Sequence, residues 1–412
     1  MVHPALSGLP PTGRSPDVPA PPAPAANQEE VRRQNLGAVL RHVHVHGPTS
    51  RAELTARLGL NRSTIRALAA DLAAAGLVTE KAPTTTRRAG RPSLVVSPRS
   101  TRVYARAMTI EPDRLRAARV GLGGRVLDLR EVEHPRGSCP ADAVRPLSWL
   151  IRDMERTAGP DAICVGAAVA VTDTTHGRDG RIRIAGPDDA LRVAFDAEFP
   201  SGPPVVAGDM ADIAALAEQV RGVAAGVDDL VYLHGGPGVS AGIIIGGRLV
   251  RGHGGHSGKV GHMVVNPHGH PCRCGSRGCW ETEIGDAALL RHAGRDQESP
   301  DTVAEVLRAA ADGEPAARAA VEQVADWLGF GVANLVNVVN PDTVVFGGSL
   351  REVYLAGAET VHRRLDELAL PASREQVQLR PAALGGTAAL VGAAELAFAH
   401  LLADPLGGAA PA

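Results

Sequence analysis

Between Gly261 and Glu283 the chain reads GHMVVNPHGHPCRCGSRGCWETE, and no other stretch limits its fold so tightly. His262 lies ten residues before Cys272, Cys274 follows in a C-x-C step, and Cys279 closes the set beyond Gly275 and Gly278. Three of the five cysteines of the chain fall within these eight residues. Three thiolates and one imidazole make the four-ligand, borderline-soft set that Zn2+ prefers, and four protein ligands leave no position open for a catalytic water. The stretch therefore predicts one structural zinc held by His262, Cys272, Cys274 and Cys279. The competing reading, an arginine- and glycine-rich surface loop, leaves the clustering of Cys with His unexplained.

Charge divides the chain in two. The net charge is only -2, but residues 27–100 carry 12 Lys and Arg against 5 Asp and Glu, whereas residues 101–412 carry 30 against 39. A basic module thus precedes an acidic body, and only the module is expected to meet a polyanion. The 412 residues suffice for two or three packed domains. With no run of 18 apolar residues and no signal-peptide pattern, the expected setting is cytoplasmic, without a membrane. Cys139 and Cys164 read as ordinary reduced cysteines.

Residues 1–26 hold eight prolines and few large apolar groups, so they predict a disordered tail. Three helical patterns follow. Val31 to His44 aligns Val31, Leu36, Val39, Leu40 and Val43 along one face. Ser50 to Leu58 opens on the capping box Ser50-x-x-Glu53. Asn61 then caps a helix from Arg62 to Ala75 that Gly76 ends, and the two helices stand across a four-residue turn, the spacing of a helix-turn-helix. Beyond Gly76, the strand-like LVTE and LVV flank the basic tip TTTRRAGRPS, which completes a winged helix-turn-helix over residues 27–100. The second helix would offer Arg62, Ser63, Thr64 and Arg66 to the major groove, with Arg51 and Asn61 beside them, while Arg87, Arg88 and Arg91 would form a minor-groove arm. Any one of these arginines, taken alone, is as well explained by solvation or a phosphate contact.

The pattern G-H-x9-C-x-C-G-x-x-G-C-x-E from Gly261 to Glu281 resembles the signature of the ROK family, which contains bacterial sugar kinases and sugar-responsive repressors. The resemblance implies an actin-like pair of α/β lobes over residues 101–412, with a first lobe of about 101–207 plus the C-terminal helix and a second of about 208–385. It also implies that His262 and Glu281 contact sugar hydroxyls, and that residues 28–98 match the N-terminal domain of ROK repressors. The body's own patterns agree. YARAMTIEPDRLRAARVGLGGRVLDLR reads as two strands and a turn, DAICVGAAVAV as a buried strand, and LVYLHGGPGVSAGIIIGGRLVRG as two strands about a glycine-rich turn. Asn337 to Gly348 joins a helix end to a strand and a double glycine, and Ala383 to His400 gives a closing helix.

Against the kinases of that family the chain departs at three places. Their D-x-G strand turn reads Thr109-Ile110-Glu111 here. A gapless alignment from Ala215-Leu216-Ala217-Glu218 puts Met210 where the catalytic aspartate belongs, and a one-residue shift would return Asp209 to it. Lys259 stands where relatives carry a hydroxyl-binding glutamate, so an ammonium donor replaces a carboxylate acceptor. Three fates are open to it: meeting an anionic ligand such as a sugar acid or sugar phosphate, pairing internally with Glu281 or Asp209, which would fill the pocket and abolish sugar binding, or facing solvent. The sequence thus predicts a DNA-binding regulator, a repressor of carbohydrate-related genes, with Asp209, Lys259, His262 and Glu281 around a sugar or sugar-acid effector and no enzymatic activity. Half-site reading by a winged module implies a homodimer or homotetramer on double-stranded DNA. The alternatives are a sugar kinase with an appended DNA module, and a regulator whose sensor binds a protein or nothing.

Overall fold

The computed structural model describes residues 28–83, 93–135, 138–172, 175–176, 182–183, 189–200, 202–253, 255–295 and 300–407. The proline-rich tail and the wing tip with Arg87, Arg88 and Arg91 lie outside the described residues.

The N-terminal module begins with α1 (Gln28–His46), which buries Leu36, Val39, Leu40 and Val43 along one face. After β1 (Thr49–Ser50) come α2 (Arg51–Leu58) and α3 (Arg62–Ala74), then β2 (Val78–Lys81) and β3 (Val95–Pro98). Ser50 Oγ accepts the Glu53 N–H at 3.1 Å, and Asn61 Oδ1 accepts the Thr64 N–H at 2.8 Å, so both helices start on side-chain caps. The turn between them is Gly59 to Asn61, one residue shorter than the sequence suggests. The sheet has order β1-β3-β2. Its third strand, β1, is too short to show alternation in sequence.

In the first lobe the stretch expected as two strands forms three, β4 (Val103–Ile110), β5 (Arg114–Gly121) and β6 (Arg125–Glu133), all antiparallel neighbours. Gly123 and Gly124 at φ 99° and 77° make the extra turn, a backbone region open to glycine. Then come α4 (Val144–Glu155), β7 (Ile163–Val171), the short pair β8 (Thr175–His176) and β9 (Ile182–Arg183), α5 (Asp189–Glu198) and β10 (Val205–Asp209). The sheet order is β10-β7-β4-β5-β6.

Helix α6 (Met210–Arg221) leads to the second lobe: β11 (Leu230–Gly235), β12 (Val239–Ile245), β13 (Arg248–Leu249), α7 (Glu281–Ile284), α8 (Asp286–His292), α9 (Pro300–Ala311), α10 (Pro315–Val339), β14 (Thr343–Gly348), α11 (Ser349–Leu368), α12 (Pro371–Arg374) and β15 (Gln378–Pro381). Its sheet order, β13-β12-β11-β14-β15, repeats that of the first lobe: three antiparallel strands, then two added in parallel to the first of them. The chain closes with α13 (Ala388–Ala403), which returns to the first lobe. The segment Gly385–Ala403 is apolar and long enough to span a membrane, yet its most apolar 18-residue window is 67% buried inside the body.

Module and body share one core. Leu40, Val43, Leu54, Ile65 and Leu72 belong to the same buried cluster as Val103, Ala105, Phe398 and Leu401. The module is therefore docked rather than tethered, with β3 ending at Pro98 and β4 starting at Val103.

Candidate functional site

The candidate metal site sits on a loop folded by its own backbone. Val264 and Cys279 form an antiparallel bridge, as do Pro271 and Arg277, and the Cys272 N–H donates to Ser276 O at 2.8 Å. Gly278, at φ 68°, lies so close to Asn266 that a Cβ would fall 1.5 Å from its carbonyl oxygen, so the loop closes only on glycine. Trp280, fully buried, anchors the loop to α10, its Nε1–H donating to Trp327 O at 2.8 Å. These constraints bring one donor atom each from His262, Cys272, Cys274 and Cys279 within 4.8 Å of one another. Cys272 Sγ lies 3.7 Å from His262 Nδ1, and Cys274 Sγ 3.6 Å from Cys279 Sγ. Bonds of about 2.3 Å to sulfur and 2.0–2.1 Å to nitrogen imply tetrahedral edges of about 3.6–3.8 Å. The donor set and its spacing both fit Zn2+. Burial, followed by the Glu281 carboxyl at 2.9 Å, pushes the Cys272 thiol up, and burial does the same to Cys279; a cation is what would favour their thiolates here.

Two of the sugar-site candidates pair with each other. Lys259 Nζ donates to Asp209 Oδ2 at 2.8 Å, and both side chains are 16% exposed. Asp209 Oδ1 accepts the Ala211 N–H at 2.9 Å, capping α6, so both carboxylate oxygens are engaged. Glu281 instead faces the candidate metal ligands, 2.9 Å from Cys272 Sγ and 3.6 Å from His262 Nδ1.

A cleft of about 600 Å³ opens between the lobes, with Met210 in its wall. Glu111 lies there too, but its charge is matched: Arg116 donates to it at 2.8 Å through Nε and comes within 2.6 Å through Nη2, while Arg116 Nη1 reaches Gly386 O at 2.7 Å. The glycine-rich turn of the cleft contains Pro237, which has no N–H to offer a phosphate. His234, at the end of β11, was not singled out from sequence, where its only signal is a histidine between an apolar strand and glycines. Its Nδ1 is buried and has no hydrogen-bond partner among the described residues. Burial holds its pKa below the usual histidine range, against the pull of Asp209 and Glu111.

On α3, Arg62, Ser63 and Arg66 are exposed on one side together with Ala67 and Ala70, while Thr64 is half-buried and Ile65, Leu68 and Leu72 face the core. Neither arginine has an ion-pair partner among the described residues, and Asp71, the helix's one acid, is held by Arg32 at 2.7 Å. Two of the sequence candidates have other partners. Arg51 donates twice to Glu80 at 2.5 Å, clamping α2 to β2, and the Asn61 side chain serves as the cap of α3.

A winged helix-turn-helix docked on a two-lobed actin-like body, with one histidine and three cysteines gathered on a loop of the second lobe, is the architecture of a transcription regulator built on a sugar-kinase-type fold. The chain belongs to the ROK family, whose sequence profile matches residues 112–400, and the MarR family profile matches residues 37–89. It is 24% identical to the xylose repressor of Bacillus spizizenii over 391 residues, covering 92% of this chain and 98% of that protein. It is also 34% identical to a glucokinase of Streptomyces coelicolor over 214 residues, 48% of this chain and 68% of that one. The crystal structure of a ROK family transcriptional regulator, a homologue of the E. coli MLC protein, superposes with TM-score 0.72 at 23% identity, covering 92% of this chain and 99% of that one.

Proposed function

We propose that the chain is a sugar-responsive transcriptional repressor that binds duplex DNA through α3 and the wing and performs no phosphoryl transfer. The observation that carries this reading is the exposed Arg62–Ser63–Arg66 face on a module whose core is continuous with the sensor body. Arg62 and Arg66 contact bases or phosphates in the major groove, and the arginines of the wing tip follow the adjacent minor groove. Arg51 and Asn61 hold the helix pair in shape rather than reading DNA. Two modules in a homodimer read two half-sites.

Loss of catalysis follows from the residues at the cleft. Met210 cannot take a proton from a sugar hydroxyl, and Asp209 is occupied by Lys259 and the α6 cap. Zinc, when bound, supplies a cross-link for the 262–281 loop and leaves no position for chemistry. The effector we infer is one able to replace the Lys259–Asp209 pair, a sugar acid whose carboxylate meets Lys259 and whose hydroxyls meet Asp209 and His234 Nδ1, which has no partner among the described residues. The protein acts in the cytoplasm, where operator DNA is found. The test has two arms. Genomic fragments retarded by the protein at low salt are challenged with neutral sugars and with their acid forms, in wild type and Lys259→Glu. Phosphorylation of glucose and xylose by ATP is measured alongside. Absence of any retarded fragment, micromolar release of the wild type by a neutral sugar, or measurable turnover would each overturn the corresponding part.

A further inference from the structure

We propose that α6 is the rigid arm by which the ligand site sets the seating of the DNA-binding module, with Arg221, Glu395 and His44 as the positioning residues at its far end. The proposal rests on the regulatory reading above, but its test reads the protein alone.

The near end of α6 lies at the proposed effector site, since Asp209 both caps the helix and holds Lys259. Its 12 residues carry the chain about 18 Å at about 1.5 Å each. At the far end Arg221 Nε donates to Glu395 Oε1 of α13 at 2.5 Å, Nη2 to the His44 carbonyl of α1 at 3.1 Å, and Nη1 to the Gly123 carbonyl at 3.2 Å. The His44 ring, fully buried, completes the junction. The Gly123 N–H donates to its Nδ1 at 2.9 Å, and its Nε2 lies 2.9 Å from Glu395 Oε2 and 2.7 Å from Arg221 Nη2. Helices α1, α6 and α13 and the β5–β6 turn thus meet in one buried polar knot. Such a knot is costly to leave half-made, so it favours discrete arrangements over gradual slippage.

Between its ends α6 has no slack. A Cβ on Gly242 of β12 would fall 2.4 Å from Ala211 O, and one on Gly392 of α13 would fall 1.9 Å from Ile213 O, so the helix backbone lies directly against both neighbours. Its last turn is fastened by Glu218, fully buried, which accepts the N–H groups of Val223, Ala383 and Leu384 at 2.8, 3.2 and 2.9 Å. Close-packed interiors pass displacement on rather than absorb it. Helix α13 in turn presses on α1, where a Cβ on Gly37 would fall 2.6 Å from Leu402 O. A ligand that takes Lys259 or Asp209 removes the ion pair at the cap, and that differential contact is what a shift between two seatings requires.

The experiment is amide hydrogen exchange at Gly123, whose N–H is held by His44, with Val345 of β14, fully buried, as a reference for global opening. Lys259→Met and Asp209→Asn each break the pair, and asparagine keeps the α6 cap. Both are expected to speed Gly123 exchange about tenfold while leaving Val345 unchanged. In an Arg221→Met background, where the far end is already cut, Lys259→Met should add nothing. Unchanged Gly123 exchange in both single variants overturns the proposal, as does equal acceleration of Val345. So does an undiminished effect of Lys259→Met in the Arg221→Met background.

Discussion

Replacing Trp280 with alanine should loosen the metal loop more than any change at its surface. The indole is fully buried, and it is so tightly faced that a Cβ on Gly331 of α10 would fall 2.1 Å from Cε2. An indole of this kind buries about 150–250 Å², worth about 4–6 kcal/mol at about 25 cal/mol per Å². Truncation also removes the second donor of the Trp327 carbonyl, which keeps only its helical bond, and walls this close cannot collapse fully into the void. Part of that area is retained by alanine, so the expected loss is about 3–5 kcal/mol. Cys279, the preceding residue, is fully buried against the same anchor, so zinc should be held less firmly as well. Urea unfolding followed by circular dichroism, with zinc counted by elemental analysis after dialysis, checks both. A loss below about 1 kcal/mol with one zinc still retained would refute the claim that Trp280 fastens this loop.

Arg62→Ala or Arg66→Ala should weaken operator binding by about 1–3 kcal/mol if the side chain reads a base, measured by titration at fixed salt. Arg51→Ala should instead act on stability, because it leaves Glu80 without its partner, and should shift a melting curve more than a relative preference among DNA sequences. Cys274→Ser should lower zinc content and thermal stability together, read from elemental analysis and calorimetry on the same preparation. The junction at Glu395 should open in acid. Burial alone would raise this carboxyl, but the hydrogen bond with His44 and the charge of Arg221 prevail and hold it below the usual glutamate range. Its contribution is therefore complete above the ordinary glutamate pKa and is lost as pH falls through the depressed folded-state value. Exchange of α1 amides should rise over that acid range in wild type, and Glu395→Gln should flatten the dependence.

Some of this protein follows from local chemistry, which needs only near neighbours in the chain. The caps at Ser50 and Asn61, the pair of helices they open and the clustering of His262, Cys272, Cys274 and Cys279 are of this kind, because each is a pattern over fewer than twenty residues. The sequence also reduced Lys259 to a short set of fates, but could not choose among them. That choice was made by the fold, which brings Asp209, at the end of β10 and 50 residues away, to within 2.8 Å of it. Glu281 shows the same limit: its spacing from Cys279 is fixed in the chain, but its orientation toward Cys272 depends on how the loop closes over Gly278. Arg51 reads as a free basic charge until β2 places Glu80 beside it. The knot of His44, Arg221 and Glu395 left no trace in sequence, since its members are 177 and 174 residues apart and none belongs to a local pattern. Periodicity and capping act over a few turns of helix, whereas the pairing of buried charges is decided only when packing removes water from groups that the chain alone keeps far apart.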